Sequence, residues 1–290
     1  MTGQLIVSGL AVGSVYALIA LAMVIIYKTS EVLNFAQGEM AMLSAFAAYS
    51  MLDTYRLPFW ASFALALIFA AALGMFLEFC FLRRAKNPNL LGLILITLGF
   101  EMILYGLAGW KWGADQKNFS FPVSDTDVIE VSGMIISYLN IWTMGVALAA
   151  MLSLWIFFKY TKVGLSMKAT QQNHQAARLM GIRTKRILNL TWAISSVVGA
   201  LAAMFLAPVV TLDPNLMTDP MLKGFASAVL GGMTSLLGAA LGGYLLGVIE
   251  NLFGGLVSLE FKSVVAFLII VLILCFRPSG LLTRHYVKKV

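Results

Sequence analysis

Two carboxylates, Glu101 and Glu250, lie well inside apolar stretches of this chain, where an ionised acid is costly unless it is paired or hydrated. Each is therefore a candidate for ion or proton handling, with hydrogen-bonded helix packing as the competing use. For Glu250, followed by Asn251, a structural hydrogen-bond network carries more weight. A second polar group, Asn34, Gln37 and Glu39, interrupts the hydrophobic sequence after the first apolar run. At such a break, side chains and freed backbone groups can hold an ammonium or a carboxylate. They can equally organise a helix start, with Asn34 as N-cap and Glu39 favouring the N-terminus. Lys28 and Glu31 put this stretch near the cytoplasmic end of the first span, which points to a structural or gate role. Glu78 stands within a turn or two of Arg83 and is expected to snorkel.

Other chemistry is missing from the pattern. A phosphate-binding loop needs Gly-Lys followed by Ser or Thr, and the chain contains no Gly-Lys dipeptide. If ATP powers this protein, another polypeptide hydrolyses it. Cys80 and Cys275 are far apart in sequence and read as apolar fillers. His174 and His285 have no partners at ligand spacing. No catalytic residue, metal site or cofactor site in this chain follows from the sequence.

What must position the polar groups is a membrane. The 290 residues are 60% hydrophobic and 11% charged, with mean hydropathy +0.90, against roughly 45–50% apolar and ~25% charged in soluble domains. Several apolar runs reach the roughly 20 residues that a helix needs to cross a bilayer. The expected fold is all-α and polytopic, one transmembrane domain over 1–290 with about eight transmembrane or re-entrant helices. Expected segments are 5–27, 40–52, 59–82, 88–109, 138–158 and 188–210, followed by apolar stretches 224–236, 239–258 and 263–276. These last three cross an odd number of times, as three short helices or as one beside a re-entrant pair. The first run is too long for a signal-peptide core and lacks a basic leader, so it reads as a retained span.

Basic residues orient the chain. Arg83, Arg84 and Lys86, the 159–187 loop, and Arg284, Lys288 and Lys289 in the tail mark the cytoplasmic side. The stretches 110–137 and 211–222 are then outside, the first beginning with an interfacial Trp110 and Trp112. The net charge of +7 follows from this topology and does not call for nucleic acid.

The 159–187 loop has seven Lys or Arg and no Asp or Glu. Within it, Gln175, Ala176, Ala177, Arg178, Leu179, Met180, Gly181 and Ile182 read as a short amphipathic helix ended by glycine. Its small residues Ala176, Ala177 and Gly181 would let it sit close in a groove, with Leu179, Met180 and Ile182 as apolar contacts; resting on anionic lipid is the alternative use. A glycine run, Gly231, Gly232, Gly238, Gly242, Gly243 and Gly247, permits close backbone approach, as either a tight helix pair or a narrow pathway requires. No repeat is visible as residue identity, but Asn34–Glu39 and Gly231–Gly238 form one polar or Gly-containing interruption in each half. Paired interruptions point to a pathway between two structural halves.

These pieces together resemble the permeases of ABC importers for branched-chain amino acids, the LivH type, nearly end to end. The resemblance rests on Leu33-Asn34-Phe35-Ala36-Gln37-Gly38-Glu39-Met40, on Gly164 to Thr170 with Asn173 and Ala176 to Ile182, on Lys223-Gly224-Phe225 leading to Val229 to Met233, on Gly238 to Gly243 and Gly247 to Asn251, and on Phe276 to Leu281. The sequence departs from the pattern at Gln37, where many members carry His, and at Thr234, where many carry Gly. The resemblance implies an ABC importer permease fold in the bacterial inner membrane. It also implies pairing with a second homologous permease subunit, two ATP-binding subunits that hold ATP and magnesium, and a periplasmic substrate-binding protein. It makes the 175–182 helix the ATPase-coupling element, and leaves Asn34, Gln37, Glu39, Gly231, Gly232 and Glu250 as pathway or gate candidates. Urea, amides or aromatic acids are alternative substrates within that role. An ion-coupled secondary transporter using Glu101 and Glu250 is the rival from another class.

Overall fold

A computed structural model of the chain describes residues 2–85, 89–123, 127–131, 134–276 and 280–281. Lys86, Pro88, Asp125 and the tail charges Arg284, His285, Lys288 and Lys289 lie outside the described residues. The helices are α1 (Thr2–Ser30), α2 (Gln37–Asp53), α3 (Phe59–Cys80), α4 (Leu90–Trp112), α5 (Tyr138–Tyr160), α6 (Lys162–Gln172), α7 (His174–Leu179), α8 (Thr184–Val210), α9 (Thr218–Gly231), α10 (Leu236–Leu256) and α11 (Lys262–Phe276). Starts are set by side-chain caps where the sequence offers them: Asn89, Ser137, Thr161 and Ser235 accept from the amides of Gly92, Asn140, Gly164 and Gly238.

Six of these helices, α1, α3, α4, α5, α8 and α10, are long and apolar enough to cross a membrane. The all-α expectation misses one element. Strands β1 (Val128–Val131) and β2 (Met134–Ser137) form an antiparallel hairpin, which alternating Val, Ile and Met in a polar region support. The Gln4 side chain donates to the Ile135 carbonyl and accepts from its amide. This docks the start of α1 on the hairpin face, opposite the basic ends of α1, α3 and α5. The expected orientation, with the first residues on the outer side, fits that placement.

The two ends of the chain repeat one design in opposite directions. A long helix (α1, α8) stops at a residue in the left-handed region, Glu31 at φ 57° and Thr211 at φ 83°, an uncommon conformation for a residue with a Cβ. An irregular stretch follows, 31–36 or 211–217, then a short helix (α2, α9) and two more (α3 and α4, α10 and α11). α1 packs on α10 and α9 as α8 packs on α3 and α2, and α9 touches α11 as α2 touches α4. α1 leaves the outer face and α8 leaves the inner one, so the repeats are inverted, an arrangement typical of transporters. The structural mate of the 31–36 break is therefore 211–217, and not the Gly231–Gly238 stretch expected from sequence.

That correction extends to the last third. The expected loop 211–222 ends at Met217, because Asp219 and Pro220 belong to the first turn of α9, where a missing N–H and a negative charge are both tolerated. Three helices then follow in alternating directions. The α9–α10 turn lies with Lys28, Lys159 and Lys168 on the inner side. Asn251 donates to the Leu5 carbonyl, and Lys262 donates to Asn251, on the outer side. The Leu281 amide returns to the Leu230 carbonyl inside. With α2, α9 and α11 beside the six long spans, nine helices among the described residues build the bundle, against the eight or so transmembrane or re-entrant helices expected.

Close packing of α1 on α10 explains the glycines. A Cβ at Gly9 would lie 2.8 Å from the Val248 Cα, and one at Gly13 would lie 2.9 Å from the Tyr244 Cα. Gly243 and Gly247 face Ala17 and Gly13 in return, a small-xxx-small contact between backbones.

Candidate functional site

The α7 platform is built by two local motifs. Asn173 caps it by accepting from the Ala176 amide at 2.9 Å. At its other end Gly181 takes φ 82°, the Ile182 amide donates to the Ala177 carbonyl, and the Gly181 amide donates to the Arg178 carbonyl. This is a Schellman closure, and it requires a residue at ease in the left-handed region. The motif turns Leu179 and Met180 outward, 89% and 83% exposed, among the exposed Arg178, Arg183, Lys185 and Arg186. Ala177 is only 4% exposed, on the side of α7 that packs on α6 and α8. The expectation that Ala177 offers close approach to a partner is corrected: its small size serves the chain's own packing. Gln175, Ala176 and Gly181 are exposed, and Ile182 is half-buried against the core.

Asn34, Gln37 and Glu39 are not at the cytoplasmic rim. Gln37 accepts from the Asn34 amide group at 3.0 Å and from the Ser195 hydroxyl at 3.1 Å, and it donates to the Ser195 carbonyl at 3.2 Å. The single Ser195 hydroxyl hydrogen is shared between Gln37 and the Ala22 carbonyl, the latter 2.7 Å from the hydroxyl oxygen. Ser195 is eleven residues into the 27-residue α8, about 16 Å from its inner end at ~1.5 Å per residue. The 31–36 break therefore climbs back into the molecule, and α2 begins near mid-depth. Thr97 of α4 satisfies the break, accepting from the Phe35 amide at 3.3 Å and lying 3.4 Å from the Leu33 carbonyl. Asn34 is consequently no N-cap. Ala36 holds that position without a side-chain bond, and the Asn34 Oδ1 is buried with no hydrogen-bond partner among the described residues.

The opposite break meets this one. Gly38, one residue into α2, lies against Met217 and Met221, since a Cβ there would be 3.4 Å from each side chain. The start of α9 thus abuts the start of α2. Glu39 sits in the first turn of α2 and is nearly buried, while Glu101 is half-exposed on α4. Four residues further along α4, Tyr105 reaches the Asn215 side chain of the 211–217 break at 3.3 Å.

Glu250 has a partner that the sequence reading did not name. Its Oε1 lies 2.5 Å from the Lys223 Nζ, both side chains buried, and Lys223 also binds the half-exposed Asp219 at 2.7 Å. The Tyr16 ring centroid lies 5.7 Å from the same ammonium. Two opposite charges in otherwise apolar segments were the available signal, but the pairing depends on α9 folding back along α10. Asp219 and Tyr16 form part of the wall of a cavity of about 300 Å³ beside the 211–217 break. The remaining wall joins apolar side chains of α1 and α8 to a second carboxylate, Asp213, the amides of Asn140 and Asn215, and Thr143 and Thr211.

The other candidates pack within the chain. Gly231 and Gly238 face each other across the α9–α10 turn, and Gly232 makes that turn at φ 102°. They form a tight hairpin. Glu78 is buried, accepting from Asn189 at 2.7 Å with Arg83 at 3.6 Å, so it does not snorkel. Trp110 is exposed as an interfacial residue should be, whereas Trp112 stacks on Phe46 at 5.0 Å and donates to the Ser50 hydroxyl.

The profile of the family described as branched-chain amino acid transport system, permease component, matches residues 5–274. The high-affinity branched-chain amino acid transport system permease protein BraD of Pseudomonas aeruginosa is 32% identical, covering 99% of this chain and 97% of that protein. The permease protein LivH of Salmonella typhimurium is 31% identical over the same shares. A probable LivH of Methanocaldococcus jannaschii is 24% identical over 97% and 91%. Among solved structures, PsaBC from Streptococcus pneumoniae in complex with Fab gives a TM-score of 0.49 at 16% identity, covering 96% of this chain and 92% of that chain, a likeness too loose to carry weight.

Proposed function

The chain belongs to the family of branched-chain amino acid transport permeases, and from that premise we propose that it carries leucine, isoleucine or valine across the bacterial inner membrane as the permease subunit of an ATP-driven importer. The observation that carries the reading is near-full-length similarity, at 32% identity, to a permease of high-affinity branched-chain amino acid transport. Paired broken helices in an inverted repeat suit alternating access. Lys223 neutralises Glu250, which weighs against Glu250 as a free coupling acid.

In this reading two ATP-binding subunits dock on the inner face around α7, with Leu179 and Met180 as apolar anchors inside a basic rim. A binding protein releases substrate at the hairpin face. A second homologous permease completes the pathway, which passes the meeting point of α2 and α9. The cavity walled by Tyr16, Asp219 and Asn215 is its outer vestibule, where carboxylate and amide groups meet the charged ends of the substrate and the apolar wall meets its side chain. ATP and magnesium belong to the partner subunits.

Purification of the native complex in mild detergent, followed by mass spectrometric identification of its subunits, tests this assembly. Two ATPase chains, or two copies of one, together with a second permease are the expected companions. A chain that purifies alone and drives uptake in response to an ion gradient would contradict it.

A further inference from the structure

A second cavity, of about 520 Å³, lies at the inner ends of α1, α5 and α6 and the start of α10, and three lysines line it: Lys28, Lys159 and Lys168. Among the described residues no carboxylate lines it, and none of the three lysines takes part in an ion pair. Lys159 lies 4.5 Å from the Trp155 ring centroid and 5.1 Å from that of Tyr160, which holds its charge at the level of an interfacial aromatic belt. The floor is the N-terminus of the 21-residue α10. Ser235 caps the Gly238 amide, while the amides of Leu236 and Leu237 have no hydrogen-bond partner among the described residues. Free first-turn amides beside convergent lysines suit phosphate oxygens. The rest of the wall is apolar, with Trp155 and Leu237 widely exposed on its flank.

We propose that this cavity is a binding site for an anionic phospholipid of the inner leaflet. The headgroup phosphate sits among Lys28, Lys159 and Lys168 at the start of α10, and an acyl chain runs along Trp155 and Leu237. A free phosphate or a nucleotide would use the lysines but leave that wall in contact with water. A lipid satisfies both parts, because the lysines reach the headgroup layer while their methylene stems and the wall stay in hydrocarbon. Bound there, the lipid ties the inner ends of α1, α5 and α10 together beside the turn that joins the two last helices of the second repeat to α9. The site is separate from the substrate path and from α7, so it stands whatever solute is carried.

The test uses the full-length protein in the assembly in which it purifies, delipidated in detergent and titrated with dioleoylphosphatidylglycerol, dioleoylphosphatidylcholine or inorganic phosphate. Native mass spectrometry counts bound lipid, and thermal unfolding reports stabilisation. Phosphatidylglycerol is retained in preference to phosphatidylcholine by an order of magnitude or more. Lys28→Gln with Lys168→Gln removes that preference without lowering the unfolding midpoint of the lipid-free protein. Lys185→Gln with Arg186→Gln, a matched loss of two charges on the same face outside the cavity, keeps the preference. If the Lys28 and Lys168 variant does not fold, Lys159→Gln at the exposed rim is read in its place and weakens retention severalfold. Equal retention of the two lipids overturns the proposal, as does undiminished phosphatidylglycerol retention in the lysine variants. Displacement of the lipid by an equal concentration of inorganic phosphate overturns it in favour of a simple anion site.

Discussion

Replacing Leu179 and Met180 together by aspartate separates docking from folding. Both side chains are more than four-fifths exposed in the chain itself, so their removal deletes almost no internal contact, and surface changes of this kind typically stay within about 0.5 kcal/mol. In the proposed assembly the same side chains enter an ATPase groove, where full burial of a Leu or Met would contribute about 1.5–3 kcal/mol. The pair therefore supplies about 3–6 kcal/mol, and stranded carboxylates in a desolvated contact add to the loss. Affinity for the ATP-binding subunit should fall by roughly two to four orders of magnitude. The assay is binding of purified ATPase to the permease in nanodiscs, read beside substrate-stimulated ATP hydrolysis and the unfolding midpoint. Ala177→Glu is the contrasting variant: Ala177 is buried within the chain, so that change lowers the midpoint and expression first. An aspartate double variant that inserts, melts like the parent and binds ATPase with parental affinity would refute the assignment of α7 as the coupling element.

Other outcomes follow from the same geometry. Lys223→Met leaves Glu250 buried without its cation and should destabilise by about 3–5 kcal/mol. Glu250→Gln should cost less because Lys223 keeps Asp219, and Lys223→Met with Glu250→Gln should recover part of the loss, all read as unfolding midpoints; equal damage from all three would discard the pairing. Gln37→Leu removes the bonds that join the 31–36 break to Ser195 and should lower stability by about 1–3 kcal/mol, while Gln37→Glu tests whether the network needs a donor; unchanged melting in both would show that it does not hold the break. Gly181→Ala should cost about 1 kcal/mol through its φ of 82°, visible as faster hydrogen exchange confined to α7, and slower or unaltered exchange there would count against the Schellman closure. Charge reversal at Lys185 should change ATPase affinity by no more than about 1 kcal/mol, as exposed ion pairs do.

The membrane class and most spans were legible because length and hydropathy act locally and additively. The position and glycine stop of α7 were legible for the same reason, since Asn173 and Gly181 act within one turn. The inverted repeat was not, because its mark is backbone geometry at Glu31 and Thr211, two residues that share no side-chain chemistry. Glycine spacing drew attention to Gly231–Gly238, where the need is close contact between α9 and α10. The depth of Gln37 was misjudged because Lys28 fixes only the end of α1, and the sequence does not say that the next six residues turn back inward. The pairing of Lys223 and the roles of Ser195 and Thr97 escaped notice because each acts across helices whose contact the sequence does not show. Small hydroxyl side chains in apolar segments carry no periodic signal of their own.

The central claim, ATP-driven passage of branched-chain amino acids through this permease, is tested most directly by uptake into proteoliposomes. The permease is reconstituted with its co-purifying subunits and binding protein, and radiolabelled leucine is followed with ATP or ADP on the ATPase side. Accumulation with ATP, none with ADP, and no effect of a protonophore are expected. Leucine accumulation that proceeds without ATP and collapses with the proton gradient would contradict the account.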